Sequence, residues 1–245
     1  MGKLEGKVAV VTGGASGIGK ASALLFAQEG AKIVIADLNE EKGQEVMEEL
    51  NNSGTEALFV KTNVTSEDDV QNLFKEAAGQ FGQVDVVFNN AGIGVNKPSD
   101  ELTFEEWRRT VSVDLDGVFL VAREALRGFL KTGGGVMVNT ASMYGHVGVA
   151  QNAPYAASKG GVVNLTRGLA VEYADRNIRI NAICPGFIDT PIIPEEMKDG
   201  LKAATPVGRL GQADEIAKAV LFLASDDSSF MTGSSLIVDG GYTAQ

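Results

Sequence analysis

A tyrosine and a lysine lie four positions apart at Tyr155 and Lys159, with a serine upstream at Ser142. Four residues make about one helical turn, so the two side chains can share one face of a helix. A phenol with a pKa of about 10 is a poor base at neutral pH, but a neighbouring ammonium lowers that pKa. Ser142 could then hold a carbonyl or alcohol oxygen while Tyr155 moves its proton. This chemistry suits hydride transfer if a hydride carrier binds nearby, although Tyr-x-x-x-Lys pairs also arise by chance on helix surfaces.

A glycine-rich turn near the N-terminus indicates a nucleotide site. The apolar run at 7–11 predicts a buried strand, and the glycines of segment 12–19 follow it directly. A helical pattern then continues to Gly30. Strand, glycine turn and helix open a dinucleotide-binding unit, in which backbone amides meet the pyrophosphate. The predicted cofactor contacts of this turn are Gly13, Ser16, Gly17, Ile18 and Gly19.

The acid at the end of the next predicted strand favours NAD over NADP. Asp37 follows segment 32–36, at about the spacing after Gly19 that a ribose-binding carboxylate has. A carboxylate accepts hydrogen bonds from the ribose hydroxyls and repels a 2′-phosphate, and neither neighbour of Asp37 is basic. The alternative is a solvated acid at a strand end, or a cap for the helix that starts near Asn39.

Further motifs accompany these residues along the chain. In order they are Thr12-Gly13 to Gly19, Asn89-Asn90-Ala91-Gly92, Ser142, Tyr155 with Lys159, Pro185-Gly186, and Val238-Asp239-Gly240-Gly241. In order and spacing the chain resembles the single-domain short-chain dehydrogenases/reductases over essentially its whole length. The resemblance implies a Rossmann-type fold, a nicotinamide cofactor, which Asp37 indicates to be NAD, and reversible oxidation of a secondary alcohol to a ketone.

The resemblance also implies the remaining site residues. The further cofactor contacts are Asn63, Val64, Asn90, Ala91, Gly92, Tyr155, Lys159, Pro185, Gly186, Ile188 and Thr190. The Asn89 and Asn90 amides could also tie adjacent strand ends together. Asn63 stands where the family usually has Asp, and it keeps an acceptor oxygen for the adenine. Asp114 stands where the family has a catalytic Asn, and a buried carboxylate there would raise its own pKa, pair with Lys159 or disturb the proton relay.

In the implied reaction, Tyr155 is the general acid/base. As a phenolate it takes the hydroxyl proton while the substrate carbon gives a hydride to the nicotinamide. Lys159 lowers the tyrosine pKa and binds the ribose hydroxyls, and Ser142 fixes the substrate oxygen.

Two other functions remain open. One is a 3-oxoacyl-[acyl-carrier-protein] reductase, whose acidic carrier could dock on a basic patch including Arg127, Lys131 and Arg176. The other is a cofactor-binding regulatory protein with little turnover, which Asp114 would favour.

Apolar residues around the predicted site could line a substrate pocket, although core or lid packing explains them equally well. They are Met143, Val149, Phe187, Ile192, Ile193 and Met197. Tyr144 has no lysine four residues on, so it is a poor base and a better candidate for the pocket wall. Tyr242, beyond an apolar tail, suits buried packing within or between subunits.

Length and composition fit one α/β domain. The chain has 245 residues, of which 44% are hydrophobic, and strand-like segments alternate with helical ones. The predicted strands are 7–12, 32–37, 56–61, 84–89, 134–140, 178–184 and 234–239. This alternation predicts a Rossmann-type, doubly wound, seven-stranded parallel sheet with helices on both faces, in a single domain over 1–245. The proline-containing stretch at about 187–207 interrupts the pattern and is expected to be a substrate-binding loop.

Charge and composition exclude several other classes of protein. A net charge of −11 argues against nucleic-acid binding and gives no support to binding an anionic membrane. The chain has one cysteine, no metal-ligand cluster, no apolar membrane span and no secretory signal. We expect a cytoplasmic enzyme without a metal. By analogy with the family it is a homotetramer, assembled through helices near 101–130 and 155–175 and the C-terminal segment.

Overall fold

The computed structural model describes residues 2–191 and 193–245, and in this part of the chain seven parallel strands form the central sheet. The described residues form nine strands in all, which are β1 (Val8–Thr12), β2 (Lys32–Asp37), β3 (Ala57–Lys61), β4 (Val86–Asn89), β5 (Gly135–Thr140), β6 (Ile178–Pro185), β7 (Ile188–Asp189), β8 (Gly211–Gln212) and β9 (Ser235–Val238). The sheet order is β3-β2-β1-β4-β5-β6-β9, while β7 and β8 form a separate parallel pair. The order reverses between β1 and β4, and a ligand crevice is expected there at the carboxyl ends of the strands.

The seven-stranded, doubly wound parallel sheet predicted from the sequence is confirmed. The predicted strands start within two residues of the observed ones, since the segments at 56, 84 and 134 begin at Ala57, Val86 and Gly135. The short strands β7 and β8 were not predicted, because two residues are too few to show a hydrophobic period.

Helices cover both faces of the sheet in the described part of the chain. They are α1 (Gly17–Gln28), α2 (Glu40–Asn52), α3 (Glu67–Phe81), α4 (Phe104–Val111), α5 (Gly117–Thr132), α6 (Ala153–Tyr173), α7 (Lys198–Ala204) and α8 (Ala213–Ala224). A π-helical turn, Ser112–Asp116, joins α4 to α5. Among these described helices, none combines the length and the apolar character needed to cross a bilayer.

Alternate residues of the buried strands supply the two layers of the core. In β1, Val11 packs with Phe26 of α1 and Val220 of α8. On the other face, Val10 packs with Leu73 of α3 and with α5 and α6. Because successive strand residues point to opposite faces, a strand that is buried on both faces reads as a continuous apolar run.

Strand register brings polar residues to one edge of the sheet. Thr12 pairs with Ala36, Asn89 with Asn139, and Thr140 with Ile183, so the carboxyl ends of β1, β2, β4, β5 and β6 lie side by side. The loops that leave these ends carry the residues on which the functional predictions depend.

The predicted substrate-binding loop contains β7, a 3₁₀ turn at Glu195–Met197 and α7. Lys198 ties these parts together, since its Nζ lies 2.9 Å from Asp189 Oδ1 and 2.6 Å from Glu195 Oε2. Ile192, one of the predicted wall residues, lies outside the described residues. The function of this segment in covering a substrate stays a prediction.

Candidate active site

Helix α6 carries Tyr155 and Lys159 on one face. The Lys159 Nζ lies 5.3 Å from the centroid of the Tyr155 ring and donates a hydrogen bond of 2.9 Å to the Thr140 carbonyl at the end of β5. Lys159 is 2% exposed, whereas Tyr155 is partly exposed. A buried ammonium therefore lies beneath a phenol that a ligand can reach.

Asp114 reaches the same ammonium from the π-helical turn. Its Oδ1 lies 3.1 Å from Lys159 Nζ, and its Oδ2 accepts a hydrogen bond of 3.2 Å from the Ile93 amide. Burial raises the pKa of Asp114 above its ordinary value, against the attraction of Lys159. Burial lowers the pKa of Lys159, but the negative charge of Asp114 and the nearby Tyr155 outweigh burial and raise it. Of the outcomes expected for Asp114, the structure shows the pairing with Lys159, and the burial of the carboxyl group favours a raised pKa.

Ser142 follows β5 and caps the short helical turn at Met143–Gly145. Its Oγ accepts a hydrogen bond of 3.2 Å from the Tyr144 amide, and the residue is almost fully buried. Gly145 lies so close to α6 that an added Cβ would come within 2.8 Å of the Lys159 carbonyl oxygen. The turn that carries Ser142 is thereby held against the helix that carries Tyr155 and Lys159.

The glycine turn forms a backbone cradle at the start of α1. Gly13 and Gly17 adopt φ values of +64° and +50°, which side-chain-bearing residues rarely adopt. An added Cβ on Gly19 would lie 2.1 Å from the Gly13 carbonyl oxygen, and one on Gly17 would lie 3.3 Å from Thr190 Cγ2. Ser16 precedes the helix without capping it through its side chain. Backbone in close approach at a helix N-terminus fits the pyrophosphate of a dinucleotide.

Asp37 is fixed beside this cradle. Its Oδ2 accepts a hydrogen bond of 3.0 Å from the Ala15 amide, and its Oδ1 accepts one of 2.9 Å from the Asn39 amide. Asn39, rather than Asp37, caps α2, because the Asn39 side chain accepts from the Lys42 amide. The alternative of Asp37 as the helix cap is therefore wrong, and its position next to the glycine turn suits a ribose.

Asn90 joins the ends of three strands. Its backbone amide donates a hydrogen bond of 2.9 Å to Thr12 Oγ1, and its side-chain Nδ2 donates one of 3.1 Å to the Thr12 carbonyl. Its Oδ1 accepts a hydrogen bond of 3.2 Å from Thr140 Oγ1. Asn89 does the same deeper in the core, where its side chain donates to Asn139 Oδ1 at 3.1 Å. The predicted tie between adjacent strand ends is therefore confirmed. The loop continues through Ala91 and Gly92 to the ion pair of Asp114 and Lys159.

Asn63 uses its acceptor oxygen within its own loop. The Oδ1 accepts hydrogen bonds from the Thr65 amide at 3.1 Å and the Thr65 hydroxyl at 2.8 Å. An amide oxygen has two lone pairs, and Thr65 uses both of them. The oxygen that was expected to accept from the adenine is therefore occupied, and the NH₂ group of Asn63 is the better candidate to meet an adenine ring nitrogen. The neighbouring Val64 is buried against the start of α5.

The segment predicted to flank the nicotinamide runs from the end of β6 to the glycine turn. Pro185 ends β6, and the Gly186 amide donates a hydrogen bond of 3.0 Å to the Val238 carbonyl. Ile188 is buried, whereas Thr190 is partly exposed and lies nearest to Gly17. Thr190 therefore places the end of this segment against the cradle.

Three aromatic rings meet above this edge of the sheet. They belong to Tyr144, Phe187 and Tyr242, and the ring centroids lie 5.3 to 6.1 Å apart. The first two were candidates for the pocket wall, whereas the sequence indicated only packing for Tyr242. No local sequence signal places Tyr242 here, because its position depends on β9 lying beside β6 in the sheet. Met143, also considered for the wall, is 1% exposed and belongs to the core.

Comparison with known proteins gives the family. A family model described as enoyl-(acyl carrier protein) reductase matches residues 13–243. The cis-4-hydroxycyclohexanecarboxylate dehydrogenase of Sinomonas cyclohexanicum is 48% identical, with 97% of each chain covered. The cyclohexanol dehydrogenase of Acinetobacter sp. (strain SE19) is 44% identical, with 99% of this chain and 97% of that protein covered. The 3-oxoacyl-[acyl-carrier-protein] reductase of Thermotoga maritima is 40% identical, with 98% of each covered.

Solved structures agree with these relatives. A short-chain type dehydrogenase/reductase from Mycobacterium marinum superposes with a TM-score of 0.96 at 37% identity, covering 99% of this chain and 97% of that one. Levodione reductase gives a TM-score of 0.95 at 38% identity, with 98% and 99% covered. The family resemblance and the fold predicted from the sequence are confirmed, and the chain belongs to the short-chain dehydrogenase/reductase family of oxidoreductases.

Proposed function

We propose that this protein is an NAD(H)-dependent oxidoreductase that interconverts a secondary alcohol and a ketone, with Tyr155 as the general acid/base. The observation that carries the proposal is the buried Lys159 ammonium, 5.3 Å from the centroid of the partly exposed Tyr155 ring. A cation in this position favours the phenolate over the phenol. The relatives named as dehydrogenases of ring alcohols support the same class of reaction.

Three parts of the chain would hold the cofactor. The glycine cradle at 13–19 would bind the pyrophosphate, Asp37 the adenosine ribose, and Thr190 and the backbone of Ile188 the nicotinamide carboxamide. The bound nicotinamide would supply a hydride acceptor for oxidation and a hydride donor for reduction. Asp37 favours NAD over NADP, because its carboxylate would repel a 2′-phosphate.

The residues of the chain position the substrate and move its proton. Ser142 holds the substrate oxygen, and Tyr155 accepts the hydroxyl proton in oxidation and returns it in reduction. Tyr155 acts as a base through its phenolate, and a nearby positive charge stabilises that form. The buried Lys159 ammonium, 5.3 Å from the centroid of the Tyr155 ring, provides such a charge.

Replacement of Tyr155 by Phe tests the proposal. Loss of the hydroxyl is expected to lower kcat by about 10²–10⁴-fold, the range for a general acid/base. NADH affinity, measured by fluorescence titration, should persist, because the cradle and Asp37 are unchanged. Tyr173→Phe, at the other end of α6, is the matched control and should keep full turnover. Unchanged turnover in Tyr155→Phe contradicts the assignment of the base, and a wild type that binds NADH without oxidising or reducing any substrate indicates the regulatory alternative.

Reduction of a 3-oxoacyl group on a carrier protein is the second candidate. The Thermotoga maritima relative favours it. The basic patch considered for docking is weakened, however, because Arg127 lies 2.6 Å from Glu124 and Arg176 lies 3.3 Å from Asp175. Acetoacetyl thioester reduction with NADH and NADPH distinguishes this candidate from a simple alcohol dehydrogenase.

The outer face of α4, α5 and α6 supports assembly into a homotetramer. Exposed apolar side chains on these helices are Phe104, Phe119, Leu130 and Val171. Apolar surface of this kind typically marks a protein interface. Sedimentation should give four copies, and Phe119→Asp with Val171→Asp should reduce the assembly. A wild type that sediments as a stable monomer would contradict the homotetramer. A cytoplasmic location stays a prediction.

A further inference from the structure

Three separate chain segments bring an aromatic ring to the same corner of the site. Tyr144 lies two residues after Ser142, Phe187 lies two residues after the end of β6, and Tyr242 lies four residues after the end of β9. The centroid distances are 6.1 Å for Tyr144 and Phe187, 6.1 Å for Tyr144 and Tyr242, and 5.3 Å for Phe187 and Tyr242. The rings cross at 74° to 83°, so they meet edge to face like the three walls of a corner.

Each ring keeps part of its surface accessible. Tyr144, Phe187 and Tyr242 are all partly exposed, in contrast to the fully buried Met143 beside them. Burial raises the pKa of Tyr144 above its ordinary value, and the nearby hydroxyls of Tyr242 and Tyr155 raise it further. The Tyr144 hydroxyl therefore stays neutral and lies near the proposed base. Next to the position where the reacting oxygen would lie, the corner consists of three aromatic rings and the hydroxyls of Tyr144 and Tyr242.

The corner is held in shape by a turn after β9. Asp239 Oδ1 accepts a hydrogen bond of 2.9 Å from the Gly241 amide, and Oδ2 accepts bonds of 2.8 and 2.7 Å from the amide and hydroxyl of Thr243. An added Cβ on Gly186 would lie 2.6 Å from Asp239 Cα, so this turn packs directly on the segment that carries Phe187. Phe187 and Tyr242 therefore form one preorganised surface, which lowers the cost of binding.

We propose that this aromatic corner, formed by Tyr144, Phe187 and Tyr242, selects a compact saturated ring that carries the reacting hydroxyl, an alicyclic secondary alcohol or its ketone. The inference rests on the proposed function and names its substrate class. A rigid ring can touch all three walls at once through its C–H groups, and it loses no internal rotations on binding. An open chain of equal carbon number contacts the same walls only after its rotatable bonds are fixed, which costs entropy.

The test compares ring and open-chain substrates of equal carbon number. The wild type is assayed with cyclohexanol against 2-hexanol and with cyclopentanol against 2-pentanol, in oxidation and, with the matching ketones, in reduction. We expect a higher kcat/KM for each ring substrate. Tyr242→Ala removes one wall and should lower kcat/KM for cyclohexanol about tenfold or more, equivalent to about 1.4 kcal/mol, but for 2-hexanol less than about threefold. Tyr242→Phe keeps the ring and should retain the preference for cyclohexanol.

Phe230→Ala is the matched control, since Phe230 is a fully exposed aromatic residue, and it should keep the wild-type ratio of the two substrates. NADH affinity and the melting temperature report whether each variant is folded, and Tyr242→Leu replaces Tyr242→Ala if the latter is not. A wild type without a preference for the ring substrates, or an equal loss for both substrates in the variant, would overturn the aromatic corner as a ring selector. A wild type that oxidises no alcohol and reduces no ketone would instead overturn the proposed function.

Discussion

Asp114 Oδ1 lies 3.1 Å from Lys159 Nζ, and neither side chain reaches solvent. The family pattern has a neutral Asn at this position, so the chain adds a negative charge next to the ammonium that would act on Tyr155 in the proposed reaction. An ammonium paired with a carboxylate exerts a weaker field on a third group than an unpaired ammonium does. In the proposed reaction, the pair would therefore moderate how strongly Lys159 stabilises the Tyr155 phenolate.

Asp114→Asn is expected to shift the pH dependence of alcohol oxidation to lower pH. The amide keeps the shape of the side chain and removes its charge, so the Lys159 ammonium stabilises the Tyr155 phenolate more strongly. The kcat/KM profile, measured across pH for the wild type and the variant, should show its rising limb at lower pH in the variant. The titratable groups around the pair are Tyr155, Cys184 and, beyond them, Tyr144 and His146. A shift to higher pH would contradict the prediction and indicate that Lys159 loses its proton without Asp114.

Lys159→Met is expected to destabilise the fold by about 3–5 kcal/mol, because it leaves the Asp114 carboxylate buried without its partner. The folded-state pKa of Lys159 is raised above 10.5, so the stability that it contributes is fully present below pH 10.5 and is lost as the pH rises through the folded-state value. The difference in the free energy of unfolding between the wild type and the variant should therefore shrink as the pH rises above 10.5. Urea unfolding at several alkaline pH values measures it. The double variant with Asp114→Asn should be more stable than Lys159→Met alone, and a double variant that is no more stable would argue against the ion pair.

Asp37→Ser is expected to change the choice of cofactor. Loss of the carboxylate removes a charged hydrogen-bond acceptor for the ribose and the repulsion of a 2′-phosphate. The ratio of kcat/KM with NAD to that with NADP should fall by on the order of tenfold to a hundredfold. Asp175→Ser removes an exposed acid in the turn after α6 and serves as the control. A ratio that stays constant in Asp37→Ser would assign the ribose to another residue.

Gly19→Ala is expected to abolish tight NADH binding. Its Cβ would lie 2.1 Å from the Gly13 carbonyl oxygen, so the cradle must open. Fluorescence titration should show an affinity at least about tenfold weaker. Gly79→Ala, on the open face of α3 with no atom within 4 Å of the added Cβ, should bind NADH like the wild type and be more stable by up to about 1 kcal/mol. Equal affinities in the two variants would show that the cradle does not hold the cofactor.

The sheet and the cradle could be predicted because local signals specify them. Strands such as β1 and β2 are buried on both faces and read as valine-rich and isoleucine-rich runs, and the glycines of 13–19 follow β1 directly. The family pattern then indicates which side chains at the strand ends are candidates for the site. Local pattern and tertiary structure agree at these positions.

The remaining features depend on long-range packing. The π-helical turn at Ser112–Asp116 has no local sequence signal, and it brings Asp114 to a lysine 45 positions further along the chain. Tyr242 meets Phe187 only because β9 lies beside β6 in the sheet. The use of the Asn63 oxygen by Thr65 likewise follows from the loop geometry and not from the residue types.

Lys198 of α7 links the end of β7 to the turn that precedes α7, through ion pairs with the exposed carboxylates of Asp189 and Glu195. Dissolved ions screen such pairs, with a Debye length of about 8 Å at physiological ionic strength. Concentrated salt should therefore weaken the ion pairs of Lys198 and leave the buried pair of Asp114 and Lys159 intact. Ionic strength would then act on substrate capture and release separately from the proton chemistry.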